Sequence, residues 1–353
     1  MLCIATIVIM LLMAEIGVRI YDKRRGHGFF SDYSNELPRA FKPIIPYRIF
    51  GFIPYQTIKG TRFISSRHRE LYPVEKPNGT TRIVCFGGST TEERINGMHY
   101  PLALQSLLRR RLGRNTIEAI NVGNAAYTTT HSIILLEFDV IYWKPDIVII
   151  SHNINDLIVS YWSGLTFDYS NKYGDEYFAS PISKDTISCT NLLLQHSRLY
   201  WVMRNRLKRI FARADVRSAR RGHYPETPDP LAVQIFRQNL STFIQIARSH
   251  GITVMLATQG MVPKEEYFRP LFFEPYNDKV IYPFHDEFVK HFRYFNEIIR
   301  QVAREENVWL VDNERLFTGQ ASYFKDYVHN NARGLDKLAQ NYADFIIENG
   351  LIQ

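Results

Sequence analysis

The chain has 353 residues, of which 45% are hydrophobic and 22% are charged, and its net charge is +8. This composition excludes disordered and fibrous proteins, because both classes lack the apolar content needed for a large buried core. Three cysteines, widely spaced, are too few for a disulfide framework, and no pair has the close spacing of a zinc site. The positive charge suits an anionic partner such as membrane lipid or an acidic polysaccharide. Since no DNA- or RNA-binding motif is present, we expect no nucleic-acid partner.

The first 21 residues predict a single transmembrane anchor. Residues 1–14 are apolar except for Thr6, and apolar side chains resume at Ile16. As a helix this segment would span about 30 Å, close to the thickness of a bilayer. No small-residue cleavage site follows, so an uncleaved signal anchor is favoured over a removed signal peptide, with a buried apolar helix as the alternative. The basic residues 23–25 would hold the following chain in the cytoplasm, which conflicts with the extracytoplasmic placement that we expect for the main domain.

The rest of the chain divides into an accessory segment and one α/β domain. Residues 22–80 are rich in proline, tyrosine, phenylalanine and arginine, and they predict a linker and short elements lying on the main domain. From residue 81 to 353, apolar runs alternate with amphipathic stretches, a pattern typical of parallel strands joined by helices. The predicted strands are 82–86, 116–122, 146–151, 252–257 and 308–311. The predicted helices are 101–112, 130–143, 228–250, 284–306 and 335–348. This order predicts a three-layer α/β/α, doubly wound fold with a five-stranded, mainly parallel sheet.

An insertion of about residues 157–227 separates the third and fourth predicted strands. Its second part, residues 192–213, predicts a basic amphipathic helix with arginines at positions that include Arg204, Arg206 and Arg209. A solvated helix face explains such a charge run. Contact with anionic lipid or an acidic glycan is the alternative.

Polar residues follow several of the predicted strands, where open parallel sheets bind their ligands. Ser89 comes after the first strand, Gly123 after the second and Asn155 after the third, while Asp326 and His329 precede the last helix. Each signal alone has a structural explanation, because a glycine-rich turn followed by serine also caps a helix. Together, however, they supply a hydroxyl, a backbone N–H, an amide, a carboxylate and an imidazole.

Acyl transfer requires this set of groups. His329 would remove the proton of Ser89, and Asp326, three residues earlier, would fix the tautomer of the imidazole. The Ser89 N–H, the Gly123 N–H and the Asn155 amide would stabilise the oxyanion of the tetrahedral intermediate. No histidine, aspartate and glutamate set has metal-ligand spacing, so we expect neither metal nor cofactor. Three further residues are candidates for lining the pocket, namely Gly88, His152 and Asn153.

These loops, in this order, resemble the sequence blocks of the SGNH (GDSL-like) hydrolase family. The matching blocks are residues 87–89, 121–123, 153–156 and 326–329, within a region of about residues 82–349. Two positions differ from the family pattern: Gly88 stands in place of an aspartate, and Asn153 stands in place of a glycine. The resemblance implies a flavodoxin-like fold and the catalytic roles given above.

The resemblance also implies an activity. The protein would be a serine esterase that forms an acyl-Ser89 intermediate, acting on an ester of a carbohydrate such as an O-acetyl group of a polysaccharide. Two alternatives use the same scaffold. One is an O-acyltransferase that passes the acyl group to a glycan, and the other is a non-catalytic protein that binds glycan or lipid.

Overall fold

The computed structural model describes residues 2–24, 48, 51–173, 197–200, 202, 203, 206, 221–271 and 280–352. The apolar N-terminal run forms helix α1 (Leu2–Arg24). Side chains on this helix are largely exposed, with Leu12 at 57% and Met13 at 68%. Within the described part of the chain, no helix has the length and apolarity required to cross a bilayer. Membrane anchoring therefore stays a prediction.

A small antiparallel sheet precedes the main domain and is fixed to it by a buried guanidinium. Arg82 has no exposed side-chain surface. Its Nη2 donates to the carbonyl of Pro73 at 2.8 Å, its Nη1 to the carbonyl of Trp143 at 2.7 Å, and its Nε to Glu118 at 2.7 Å. One buried cation thus links the small sheet, the main sheet and the turn before the third main strand. The strands of the small sheet, in the order β1-β2-β3, are β1 (Tyr55–Ile58), β2 (Thr61–Ser65) and β3 (Leu71–Pro73).

The main sheet has five strands in the order β5-β4-β6-β7-β8, and all four pairings are parallel. Its buried strands correspond to the apolar runs of the sequence, so the predicted five-stranded parallel sheet is confirmed. Because the chain moves from β4 to β5 on one side and then to β6 on the other, a crevice opens at the carboxyl end of β4. The strands are β4 (Thr81–Gly87), β5 (Ile117–Asn121), β6 (Ile147–Ser151), β7 (Thr253–Ala257) and β8 (Trp309–Val311).

Helices cover both faces of this sheet, because alternate side chains of each strand point to opposite sides. Phe86 of β4 packs edge-on against Phe243 of one layer, with ring centroids 5.0 Å apart. Cys85 belongs to the core of the other layer, with Leu104 and Tyr342. The described helices of this domain are α2 (Ser89–Glu92), α3 (Tyr100–Leu112), α4 (Thr129–Phe138), α5 (Ile154–Val159), α6 (Ser170–Tyr173), α7 (Pro230–Ser249), α8 (Glu265–Leu271), α9 (His285–Glu305), α10 (Asn313–Phe317) and α11 (Ala332–Glu348).

The structure differs from the predicted helix 130–143, which is interrupted at Asp139. α4 ends at Phe138, and a separate 3-10 turn covers Val140–Trp143. The break has a physical basis, since the Asp139 carboxylate lies 3.6 Å from the Arg48 guanidinium and Trp143 is fully buried. Most of the predicted basic helix 192–213 lies outside the described residues.

Candidate active site

Two glycines place Ser89 at the start of a short helix directly beyond β4. A Cβ atom on Gly87 would lie 2.2 Å from Thr91 Oγ1, and one on Gly88 would lie 2.3 Å from Asn155 Nδ2. The close approach of Asn155 therefore requires glycine at position 88. Ser89 is the first residue of α2, and its N–H therefore has no acceptor within the helix.

Ser89, His329 and Asp326 form one continuous chain of hydrogen bonds. His329 Nε2 lies 2.7 Å from Ser89 Oγ, and His329 Nδ1 lies 2.9 Å from both carboxylate oxygens of Asp326. A carboxylate can only accept, so Nδ1 carries the hydrogen and Nε2 of the neutral ring accepts the serine O–H. The structure therefore brings the predicted nucleophile, base and orienting acid together.

The charge of Asp326 is stabilised by its surroundings. Partial burial by itself would raise the pKa of this carboxyl, but hydrogen bonds from the His329 ring and from the backbone N–H groups of His329 and Val328 outweigh it and lower the pKa. The two N–H groups donate to Oδ1 at 2.9 and 3.1 Å. An ionised Asp326 can stabilise the imidazolium that forms when His329 takes a proton.

Asn155 faces the same cavity as Ser89 and His329, which has a volume of about 200 Å³. The Asn155 amide donates one hydrogen bond to the carbonyl of Tyr127 at 2.8 Å, and an amide nitrogen carries a second hydrogen. The predicted position of this amide beside the serine therefore agrees with the structure. Residues that the sequence did not point to also line the cavity, among them Ala125, Ala126, Ile158, Lys172, Tyr282 and Val328.

Gly123, in contrast, does not reach this cavity. Its N–H donates to Asn121 Oδ1 at 2.9 Å, and a Cβ atom there would lie 2.7 Å from the side chain of Thr91. The glycine thus permits close packing behind α2, and the geometry does not support an oxyanion role for it. Ala126, three residues later, borders the cavity instead, in the left-handed conformation with φ 62°.

His152 and Asn153 are also placed behind the cavity and do not line it. His152 Nε2 lies 2.7 Å from Ser132 Oγ, and burial lowers the pKa of this ring to about 3, so it is neutral. Asn153 Nδ2 donates to Asn296 Oδ1 at 2.9 Å. Both residues therefore support the loop that carries Asn155.

Gln259, which follows β7, joins three parts of the site. Its Nε2 donates to Thr90 Oγ1 at 3.2 Å and to the carbonyl of Ser151 at 3.3 Å, while its Oε1 accepts from the N–H of Ile154 at 3.2 Å. Gln259 is 6% exposed, so these bonds are shielded from water. Gln259 is the second residue after a buried strand, and polar residues just after strands are also the sequence signal of the other site loops.

Comparison with known proteins agrees with this geometry. The model of the GDSL-like Lipase/Acylhydrolase family matches residues 85–337, which is more than half of the chain. The sequence matches no curated protein. Solved structures similar to the chain include a lipase/acylhydrolase from Enterococcus faecalis, with 17% identity, a TM-score of 0.44, and coverage of 76% of this chain and 97% of that chain.

Two further solved structures give similar values. A catalytic mutant of an acetylxylan esterase from Geobacillus stearothermophilus has 15% identity, a TM-score of 0.44, and coverage of 77% of this chain and 96% of that chain. A GDSL-like lipase from Bacteroides thetaiotaomicron has 14% identity, a TM-score of 0.40, and coverage of 77% and 87%. The family match and the site geometry have the same implication. The chain belongs to the GDSL-like lipase/acylhydrolase family and is an enzyme that hydrolyses ester bonds.

Proposed function

We propose that the protein is a serine esterase that acts through an acyl-Ser89 intermediate. The hydrogen-bonded chain from Ser89 through His329 to Asp326, open to a cavity, carries this proposal. Ser89 Oγ attacks the ester carbonyl while His329 Nε2 takes its proton and then delivers it to the departing alcohol oxygen. Water attacks the acyl-enzyme in the second half of the reaction, with His329 again as the base, and releases the carboxylic acid.

The oxyanion donors in this mechanism are the Ser89 N–H and the Asn155 amide. Both belong to residues that line the cavity, and each is held by its surroundings before substrate enters. Donors that are already oriented stabilise developing charge without reorganising, which is the largest single term in many acyl transfers.

We propose a short O-acyl group of a carbohydrate, such as O-acetyl, as the substrate. A cavity of about 200 Å³ is small compared with the ~300–1,000 Å³ of pockets that enclose whole drug-sized ligands. It has room for a short acyl chain beside Ile158 and Val328, while the alcohol portion of the ester would extend outward. The positive net charge of the chain is compatible with a polysaccharide that carries acidic groups.

Hydrolysis of p-nitrophenyl acetate by the wild type and by Ser89→Ala tests the mechanism. We expect turnover only in the wild type, together with a Ser89 peptide whose mass increases by one acyl group when the reaction is quenched early. Equal rates in both proteins would refute the role of Ser89. The substrate class is tested by comparing the rates on acetylated oligosaccharides with those on p-nitrophenyl esters of increasing chain length. Hydrolysis and acyl transfer are distinguished by adding an acceptor glycan and identifying whether the free acid or the acylated glycan is formed.

Membrane attachment and extracytoplasmic placement of the catalytic domain are part of the same proposal. The attachment rests on the apolar run of residues 1–14 and on the exposed side chains of α1, such as Met13. Fractionation of cells expressing the full chain, compared with a variant that lacks residues 2–24, tests the attachment. Recovery of both proteins in the supernatant after high-speed centrifugation would refute it.

A further inference from the structure

Glu92, the last residue of the nucleophile helix α2, binds three residues in two other parts of the chain. One carboxylate oxygen pairs with the guanidinium of Arg67, and the other accepts the N–H of Ala125, both at short range. Its backbone carbonyl accepts from His68 Nε2 at 2.5 Å.

The first partner, Arg67, belongs to the turn between β2 and β3 of the small sheet. This turn is itself fixed to the main sheet, because the Arg67 N–H donates to the carbonyl of Asn121 at 2.8 Å. In the same turn, His68 stacks on His99 with ring centroids 4.7 Å apart, and burial lowers the pKa of His68 to about 4. A neutral His68 ring can donate to the Glu92 carbonyl without placing a second positive charge beside Arg67.

The second partner, Ala125, begins the segment that orients Asn155. Ala126 follows with φ 62° and borders the cavity, and the carbonyl of Tyr127 then accepts the Asn155 amide at 2.8 Å. A displacement of Ala125 would be transmitted over two peptide units to this amide. Glu92 is therefore one link between the small sheet, the nucleophile helix and this side of the cavity.

We propose that Glu92 is a positioning residue for ester hydrolysis: by holding the Ala125 N–H, it keeps the 125–127 segment where Tyr127 orients the Asn155 amide toward the tetrahedral intermediate on Ser89. This inference rests on the proposed function, since it assigns Glu92 a part in stabilising that intermediate. Arg67 restrains the other oxygen of the Glu92 carboxylate.

Glu92→Ala and Glu92→Gln separate this role from a general effect on folding. Glu92→Ala removes the acceptor of the Ala125 N–H, and we expect kcat per active site to fall about 10- to 100-fold, as small misplacements of catalytic groups commonly do. Glutamine retains an oxygen that can accept this N–H but loses the ion pair with Arg67, so Glu92→Gln should recover part of the loss. Glu305→Ala is the matched control. It removes an ion pair with Arg237 that joins α9 to α7 and involves no site residue, so it should leave kcat unchanged.

Three readouts distinguish positioning from structural damage. Fluorophosphonate labelling of Ser89 counts active sites, so that a partly unfolded sample does not lower kcat per site. The affinity for a boronic acid, whose serine adduct is tetrahedral, should fall in parallel with kcat in Glu92→Ala while KM changes by less than about twofold. The pH profile of kcat/KM should keep its shape, because the contacts between His329 and Asp326 are not altered.

A kcat per active site in Glu92→Ala within about twofold of the wild type would overturn the inference. If Glu92→Ala does not fold, Arg67→Ala tests the same link from its other end and should lower kcat in the same way. If the wild type neither hydrolyses esters nor reacts with fluorophosphonate, the proposed function fails. Hydrogen exchange of the peptide containing Ala125 then tests the contact between Glu92 and Ala125 independently of catalysis. Faster exchange in Glu92→Ala than in Glu305→Ala supports the contact, and equal exchange refutes it.

Discussion

Replacing Gly88 with alanine should disable the oxyanion site without unfolding the protein. The added Cβ would lie 2.3 Å from Asn155 Nδ2, whereas ordinary van der Waals contact begins at 3.4 Å. The amide must therefore move by about 1 Å, which is enough to break its 2.8 Å bond to Tyr127 and to misalign it with the substrate. Loss of one oxyanion donor typically lowers kcat by about 10²- to 10³-fold, or about 3–4 kcal/mol of transition-state stabilisation.

Steady-state hydrolysis of p-nitrophenyl acetate, with active sites counted by fluorophosphonate, measures this loss. Because Gly88→Ala is expected to act through Asn155, a protein carrying both Gly88→Ala and Asn155→Ala should be no slower than Asn155→Ala alone. Gly17→Ala is the matched control, since a Cβ at Gly17 meets nothing within 4 Å. Retention of kcat within threefold in Gly88→Ala, or full additivity in the double variant, would refute the reasoning.

Further predictions concern the triad, a buried acid and a buried ion pair. Asp326→Asn should lower kcat on the order of 10⁴-fold through the wrong His329 tautomer, and steady-state kinetics showing more than a tenth of wild-type activity would contradict this. Burial raises the pKa of Asp156 to about 7, so the folded protein keeps a proton that the unfolded chain releases near pH 4, and stability should fall as pH rises through this window. Asp156→Asn should flatten this dependence in urea unfolding at acidic and alkaline pH, and an unchanged slope would argue against the raised pKa. Arg82→Ala leaves the Glu118 carboxylate without its buried partner and should lower the free energy of unfolding by about 3–5 kcal/mol; a urea-measured loss below about 1 kcal/mol would contradict the role given to this pair.

The sheet and the Ser89–His329–Asp326 arrangement could be predicted because each has a local signal. Strands buried on both faces are continuous apolar runs, and the carboxyl ends of parallel strands meet at one edge. Asp326 and His329 are three residues apart, so their contact needs only one turn of chain. The fold and these three positions therefore follow from short-range patterns, and the catalytic roles stay predictions for the variants above to test.

The other side of the cavity could not be predicted, because its determinants leave no local pattern. The glycine at position 123 made it the expected oxyanion donor of its loop. The residue that borders the cavity is instead Ala126, which has a left-handed backbone, and an alanine gives no sequence signal for that conformation. Lys172 reaches the cavity from within the insertion, and Tyr282 reaches it from the segment between β7 and β8. Nothing in the sequence distinguishes Glu92, since its partners Arg67 and Ala125 are distant in sequence.

The hydrogen bond between Ser89 and His329 joins residues 240 positions apart in the chain. A nascent chain that has completed β4, α2 and the Asn155 loop still lacks His329, the proposed base, so we expect no ester hydrolysis while the C-terminal third is being synthesised. In a refolding experiment, esterase activity should accordingly return no earlier than the packing of α11 on α3. In that contact the ring centroids of Tyr342 and Tyr100 are 5.3 Å apart. Recovery of catalytic activity should therefore report the last stage of folding, whereas fluorescence or circular dichroism would also change during the earlier stages.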